Sequence, residues 1–378
     1  MVLTHKDPVL VVIELTGAND YLNTIVPYSE PLYWDNRPKV HISQDELLII
    51  DNHLAFRSDT EPLKDIYDKG NMAIVHGIGF ANSPRSHFRA MDIWHTCEPD
   101  TIGINGWLGH VIQDLDPSGE NVLKGVSLGQ GLPRAMTKRG VPVTSVNHLP
   151  TYGVLSSNPG ITSEEDRSQM LNSFARMYGP TIGNGPTMEY LGQAGRDALR
   201  GADIIRVAPE TYSSNVEYAN NNISRRLRDV AQVHLAGLGT QVFYTAHGSF
   251  DTHYDQMGSH TKLWMELSTA INDFLADLSE HNASDEVVIM VYSEFGRRVR
   301  DNGTGTDHGA AGVAFVIGDR VNGGMYGTYP SLKPADLSQG DLNPNYDFRG
   351  FYSSLVEGWL GLDPVPIVGG TFEQMSLV

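Results

Sequence analysis

The chain has 378 residues, with 45 acidic against 27 lysine and arginine side chains and a formal net charge of −18. That acidic balance speaks against nucleic acid or an anionic membrane surface as partner, and no apolar run approaches the ~20 residues that span a bilayer. The length suits one large α/β domain, residues 1–378, with room for an insertion.

The N-terminal stretch is short and polar, without a basic region, an apolar segment or a twin arginine. The sequence as written therefore predicts a cytoplasmic protein. A first strand is expected over Val9–Leu15 and a second over Met72–Ile78, both rich in valine and isoleucine. Gly106–Asp116 reads as a helix, Val122–Leu128 as a strand, and Asp166–Tyr178 and Ile223–Leu235 as helices. The segment 150–238 is mostly helical, with breaks at Gly179-Pro180 and Gly185-Pro186. It is expected to be a helical insertion or cap within the domain, ordinary crossover helices being the alternative. Gln241–Thr245 follows as a strand. The helix Ser259–Glu280 carries Leu263, Leu267, Ile271, Phe274 and Leu278 at spacings of three and four. Strands Glu286–Tyr292 and Val313–Ile317 and a last helix, Arg349–Leu360, complete the alternation. The strands lack clean polar alternation, as parallel strands buried on both faces do. The fold class is α/β: a mostly parallel central sheet with helices on both faces.

In open α/β sheets, ligands bind beyond the carboxyl ends of the strands. Asp20 follows the first strand, and Arg85, Ser86 and His87 follow the second. Asp251, His253 and Asp255 follow the Gln241–Thr245 strand. Ser293, Glu294 and Arg297 follow the next strand, then Asp307 and His308. Each has a dull reading alone: Asp20 or Asp307 as a turn residue, Ser86 as a helix cap, His308 as a satisfied polar group. Together at one rim, the carboxylates would repel one another unless a cation sat between them. The single cysteine, Cys97, rules out a cysteine-built metal site. Mixed imidazole and carboxylate donors suit Zn, Mn or Fe, with Mg or Ca favoured where oxygens dominate.

The ordered blocks "LVVIELTGANDYLNTIVPY", "NSPRSHFRAMDIWHT", "FDTHYDQ", "SEFGRR", "TDHGAAGVAFVIG", "GGMYGTYPSL" and "DFRGFYSSLVEGWLG" resemble the bacterial "domain of unknown function 1501" family over Leu10 to Pro364. That family has no established activity and is regarded as sulfatase-like, related to the alkaline phosphatase superfamily. The resemblance thus implies an alkaline-phosphatase/sulfatase-like fold. Family members usually carry a twin-arginine export signal, from which this sequence departs. Carried over by motif, the resemblance implies Asp20 and Glu294 as ligands of one ion and Ser86 as nucleophile, with Ser83 a weaker candidate. It implies Asp251, with His253 or Asp255, and His308 as ligands of a second ion. Phe295 stands where the superfamily has a ligating histidine. His87 or Asp307 is expected to substitute, or the second metal binds weakly, or the protein holds one ion. Arg85, Arg89 or Arg297 is expected to clamp an anion. The function implied is a metal-dependent hydrolase of a small phosphate or sulfate ester, using one or two divalent ions. The alternative is a non-catalytic metal- or ligand-binding protein with an incomplete site.

Overall fold

A computed structural model describes residues 7–152, 163–177 and 185–378. Among these residues the central sheet has nine strands: β1 (Val9–Leu15), β2 (Met72–Gly79), β3 (Gly125–Leu128), β4 (Thr144–Val146), β5 (Val242–His247), β6 (Val287–Tyr292), β7 (Gly312–Ile317), β8 (Gly324–Tyr326) and β9 (Tyr346–Asp347). Eight lie in the order β8-β2-β7-β6-β1-β5-β3-β4, and β9 pairs with β2. Only β7 runs against its neighbours, β2 and β6; every other pairing is parallel. The sheet is thus mostly parallel, and the carboxyl ends of β1, β2, β5 and β6 meet at one edge.

The helices that position the site or cover the sheet are α1 (His87–Thr96), α2 (Trp107–Leu115), α3 (Glu164–Met177), α4 (Pro186–Ile205), α5 (Asn222–Leu235), α6 (Gln256–Glu280) and α7 (Phe348–Gly358). Successive strand side chains point to opposite faces, and both faces are covered. Val9, Val11, Ile13 and Leu15 of β1 join one core with Leu227 and Val230 of α5 and Leu267, Ile271 and Phe274 of α6. Leu10 and Val12 join a second core with Trp94 of α1, Val111 of α2 and Phe351 of α7. Burial of each such side chain stabilises the fold by roughly 1.5–3 kcal/mol. This is why β1 tolerates no polar alternation, apart from one buried glutamate, Glu14.

Two boundaries differ from expectation by three residues. The strand expected from Val122 begins at Gly125, because the Asn121 side chain accepts from the Leu123 N–H at 2.9 Å and holds an Asx turn. Helix α6 begins at Gln256, three residues before the expected start, after Asp255 takes a left-handed conformation at φ 49°. Within 150–238, α5 is a layer helix packed on α6, β5 and β3, while α3 packs on α4 at the β4 edge. Gly185-Pro186 opens α4. Tyr178 and Gly179-Pro180 lie outside the described residues. No helix among the described residues is long and apolar enough to cross a membrane.

Candidate metal centre

The loops after β1 and β5 are forced together. Gly17 has φ +111°, and a Cβ there would lie 2.4 Å from the Asp251 nitrogen, so only glycine fits. Phe250 N–H donates to the Thr16 carbonyl at 3.1 Å, and a tight turn follows in which His253 N–H donates to the Asp251 carbonyl at 3.1 Å. His308 arrives on a two-stranded hairpin, Arg297–Asp301 with Thr306–His308, tied to the same loop by Thr306 N–H donating to the Thr252 carbonyl at 3.2 Å. His87 is the first residue of α1.

Four side chains meet where these pieces meet. His308 Nε2 lies 3.0 Å from His87 Nε2 and 3.0 Å from His253 Nε2. Asp251 Oδ1 is 3.1 Å from His308 Nε2, 3.1 Å from His253 Nε2 and 3.5 Å from His87 Nε2. Donors set tetrahedrally about an ion at zinc-like bond lengths would be roughly 3.3 Å apart, and His87 Nε2, Asp251 Oδ1 and His308 Nε2 are spaced for one such ion, with His253 against the last two but outside that group of three.

The far side of each ring explains its aim. His87 Nδ1 bonds Glu294 Oε1 at 2.7 Å, His253 Nδ1 bonds Asp307 Oδ1 at 3.0 Å, and His308 Nδ1 bonds the Arg85 carbonyl at 2.9 Å. A carbonyl or carboxylate oxygen only accepts, so in the neutral rings the proton sits on Nδ1 and the Nε2 lone pair faces inward. The His87 and His308 lone pairs and the Asp251 oxygen then face one another, with the His253 lone pair against the last two, an arrangement that a shared cation stabilises. The bond to Glu294 raises the His87 pKa, while the bond from His253 lowers that of Asp307. Burial pushes Asp251 up, but Arg297 and His308 outweigh it and bring the carboxyl down to about 2.

Phe295 is a wall of this centre. It is buried, its ring stacks on His87 at 5.0 Å between centroids, and it lies tilted on His308 at 5.2 Å. It packs against two of the imidazoles and supplies no donor.

The other expected site residues take separate places. Asp20 does not join the centre. It is fully buried and ion-paired to Arg37, whose Nη2 donates to Oδ1 at 2.9 Å and whose Nη1 bonds Oδ2, and Gln256 closes Oδ2 further. Glu294 does not face the ion position. Its Oε1 takes His87 and the Gly17 N–H, and its Oε2 takes Ser293 Oγ. Asp307 orients His253, and Asp255 stands at the start of α6. Among the described residues one group of donors is assembled. Arg297 has no exposed side-chain surface. Buried beneath the centre, it donates to the carbonyls of Gly17, Ala18, Phe250 and Thr306 and, at 2.7 Å, to Asp251 Oδ1. Arg85 pairs with Asp341 at 2.6 Å, and Arg89 with Asp92. Ser86 is exposed beside His87, and its hydroxyl does not cap α1. Sequence reasoning missed Arg37, which sits 17 positions from Asp20 with no pattern linking the two.

Among solved structures the chain is similar to an alkaline phosphatase superfamily protein from Vibrio parahaemolyticus, 10% identical with a TM-score of 0.40, covering 97% of this chain and 69% of that one. It is similar to the PsFucS1 sulfatase from Pseudoalteromonas sp., 12% identical with a TM-score of 0.40, covering 98% and 71%. It is also similar to the C-terminal periplasmic domain of EcEptC from Escherichia coli, solved in complex with Zn, 10% identical with a TM-score of 0.38, covering 98% and 85%. No curated protein matches the sequence. Residues 105–347, a span that holds Asp251, His253, Arg297 and His308, match the family described as "Protein of unknown function (DUF1501)", and the chain belongs to that family.

Proposed function

We propose that the protein is a metal-dependent hydrolase of a small phosphate or sulfate ester, built around one divalent ion. The observation that carries this reading is the convergence of the His87, His253 and His308 Nε2 atoms on Asp251 Oδ1, each ring fixed from behind. Three imidazoles and one carboxylate favour Zn or Mn over Mg or Ca. The ester class follows the family resemblance set out above.

When bound, the ion supplies a Lewis acid that polarises an ester oxygen and lowers the pKa of a nucleophile. The chain does the rest. Arg297 holds Asp251 in place, Glu294 and Asp307 hold the ring tautomers, and Phe295 prevents His87 and His308 from turning. The side chain of Asp251 is 47% exposed and that of His253 is 41% exposed, so an ester in solution reaches the centre. Ser86, exposed at the start of α1 and one residue from a ligand, is the proposed nucleophile.

A second reading rests on the donor count. Were His253 drawn in beside His87, Asp251 and His308, four protein donors would fill a tetrahedral shell, as in structural metal sites, which favours metal binding without turnover. Elemental analysis joined to assays on 4-nitrophenyl phosphate and 4-nitrophenyl sulfate separates the two. One ion per chain with ester turnover that Ser86→Ala abolishes supports the hydrolase. Bound metal with no turnover on either ester leaves the binding protein, and full turnover in Ser86→Ala removes the serine from the mechanism.

A further inference from the structure

Helix α1 does not end its part in the site at His87. Residues four apart share a helix face, so His87, Met91 and His95 lie in a row. The first belongs to the metal centre, while Met91 and His95 line a cavity of about 480 Å³ at the carboxyl ends of β1, β3 and β5. Thr16 and Gly248 line it too, and Gly17, next to Thr16, abuts Asp251. The cavity therefore begins where the metal centre ends.

Its charged groups are unevenly partnered. Glu14, the one acid in β1, lies at its floor, but Glu14 Oε1 is 3.0 Å from His95 Nε2 and its Oε2 accepts from the Tyr244 hydroxyl. Arg134 at the rim is paired with Asp92. Arg226 has no such partner. It reaches in from α5 and donates through Nη1 to the Ala246 carbonyl, and no carboxylate among the described residues lies within ion-pair distance of it. Gly129, at φ +146°, leaves room for the guanidinium: a Cβ there would be 3.4 Å from Arg226 Cζ. Burial lowers the Arg226 pKa, with Arg225 adding to the shift and no acid offsetting it. Met91 and Leu132 supply apolar wall beside this cation.

The geometry points to a pocket that binds an apolar group carrying one carboxylate, with Arg226 as the recognising residue. One uncompensated guanidinium matches a singly charged, planar oxyanion in charge and shape. Its use as the pocket for the remote part of an ester substrate rests on the hydrolase reading; the binding itself does not.

Benzoate and its neutral isostere benzamide test this by isothermal titration calorimetry on the full chain. Wild type is expected to prefer benzoate by about tenfold or more, the effect of one charged hydrogen-bonded contact. Arg226→Ala should lose that preference, and Leu132→Trp, at an exposed mouth position, should lose both ligands by filling the cavity. His308→Ala should keep the preference, since it breaks only the metal centre. Equal binding of the two probes, no binding of either, or a preference that survives Arg226→Ala overturns the inference. So does a preference lost in His308→Ala and kept in Arg226→Ala, which would mean that benzoate sat on the metal. Failure of the hydrolase reading, seen as metal without ester turnover, leaves all of these outcomes readable.

Discussion

Two aspartates, Asp20 and Asp251, follow two adjacent parallel strands, β1 and β5, and meet opposite fates. Asp20 is sealed: Arg37 takes both of its oxygens, and neither side chain has any exposure. Asp251 also meets an arginine, the buried Arg297, but only Oδ1 is engaged and the side chain stays about half open to solvent. Three histidines then occupy the open side. A carboxylate at a strand end becomes a structural anchor or a candidate ligand according to whether a protein cation saturates it. Residue type and strand position do not separate the two cases.

The largest effect that tests this contrast is on metal content. His308 touches His87, His253 and Asp251 at once, so His308→Ala should take the chain from one ion to none in elemental analysis. Wild type stripped by a chelator should likewise lose stability, by about 2.7 kcal/mol if the free metal had stood at 100 times its Kd. Retained metal in His308→Ala would break the assignment. The next effect lies on the sealed side. Arg37→Ala leaves a fully buried carboxylate unpaired and should cost about 3–5 kcal/mol in denaturant unfolding, while the folded variant still binds its ion. Should Arg37→Ala instead release the metal with little loss of stability, Asp20 and Asp251 would belong to one site.

Much of this architecture was legible in the sequence for a physical reason. Long strands such as Val9–Leu15 and Val287–Tyr292 are buried on both faces, and the helix at Gln256–Glu280 shows its period over 25 residues. Short elements carry no such signal: Thr144–Val146 and Gly324–Tyr326 have three residues each, and the antiparallel run of β7 depends on partners distant in the chain. In the site, strand-end acids and histidines were visible as candidates, but their pairing was not. Arg85 meets Asp341 across 256 positions, and Glu294 meets His87 across 207. Whether a carboxylate faces an ion or the back of a histidine is decided by one ring nitrogen, which no spacing records.

Glu294 sharpens the contrast at an intermediate scale. Glu294→Gln keeps the shape but weakens the bond to His87 Nδ1, and outer partners of metal-bound histidines typically contribute 10–100-fold in affinity. A fall of about that size in a competitive chelator titration, with the ion count unchanged, fits an orienting role. Complete loss of the ion would make Glu294 a direct ligand.

The smallest expected change comes from the substitution that looks most restorative. Phe295→His returns a histidine to the place where the superfamily resemblance implies one, and a missing ligand would predict a gain from one ion to two. The arrangement around Phe295 argues otherwise. The partners that a second ion needs are already committed, Asp20 to Arg37 and Gln256, and Glu294 to His87, Gly17 and Ser293. An imidazole there would sit in a wall formed with Ala18 and Ala90, where an unpartnered polar group is unfavourable. Elemental analysis of Phe295→His should therefore still give one ion per chain, with a modest loss of stability. Two ions would show that Asp20 can be drawn from Arg37, and that the sealed and open carboxylates are two states of one site.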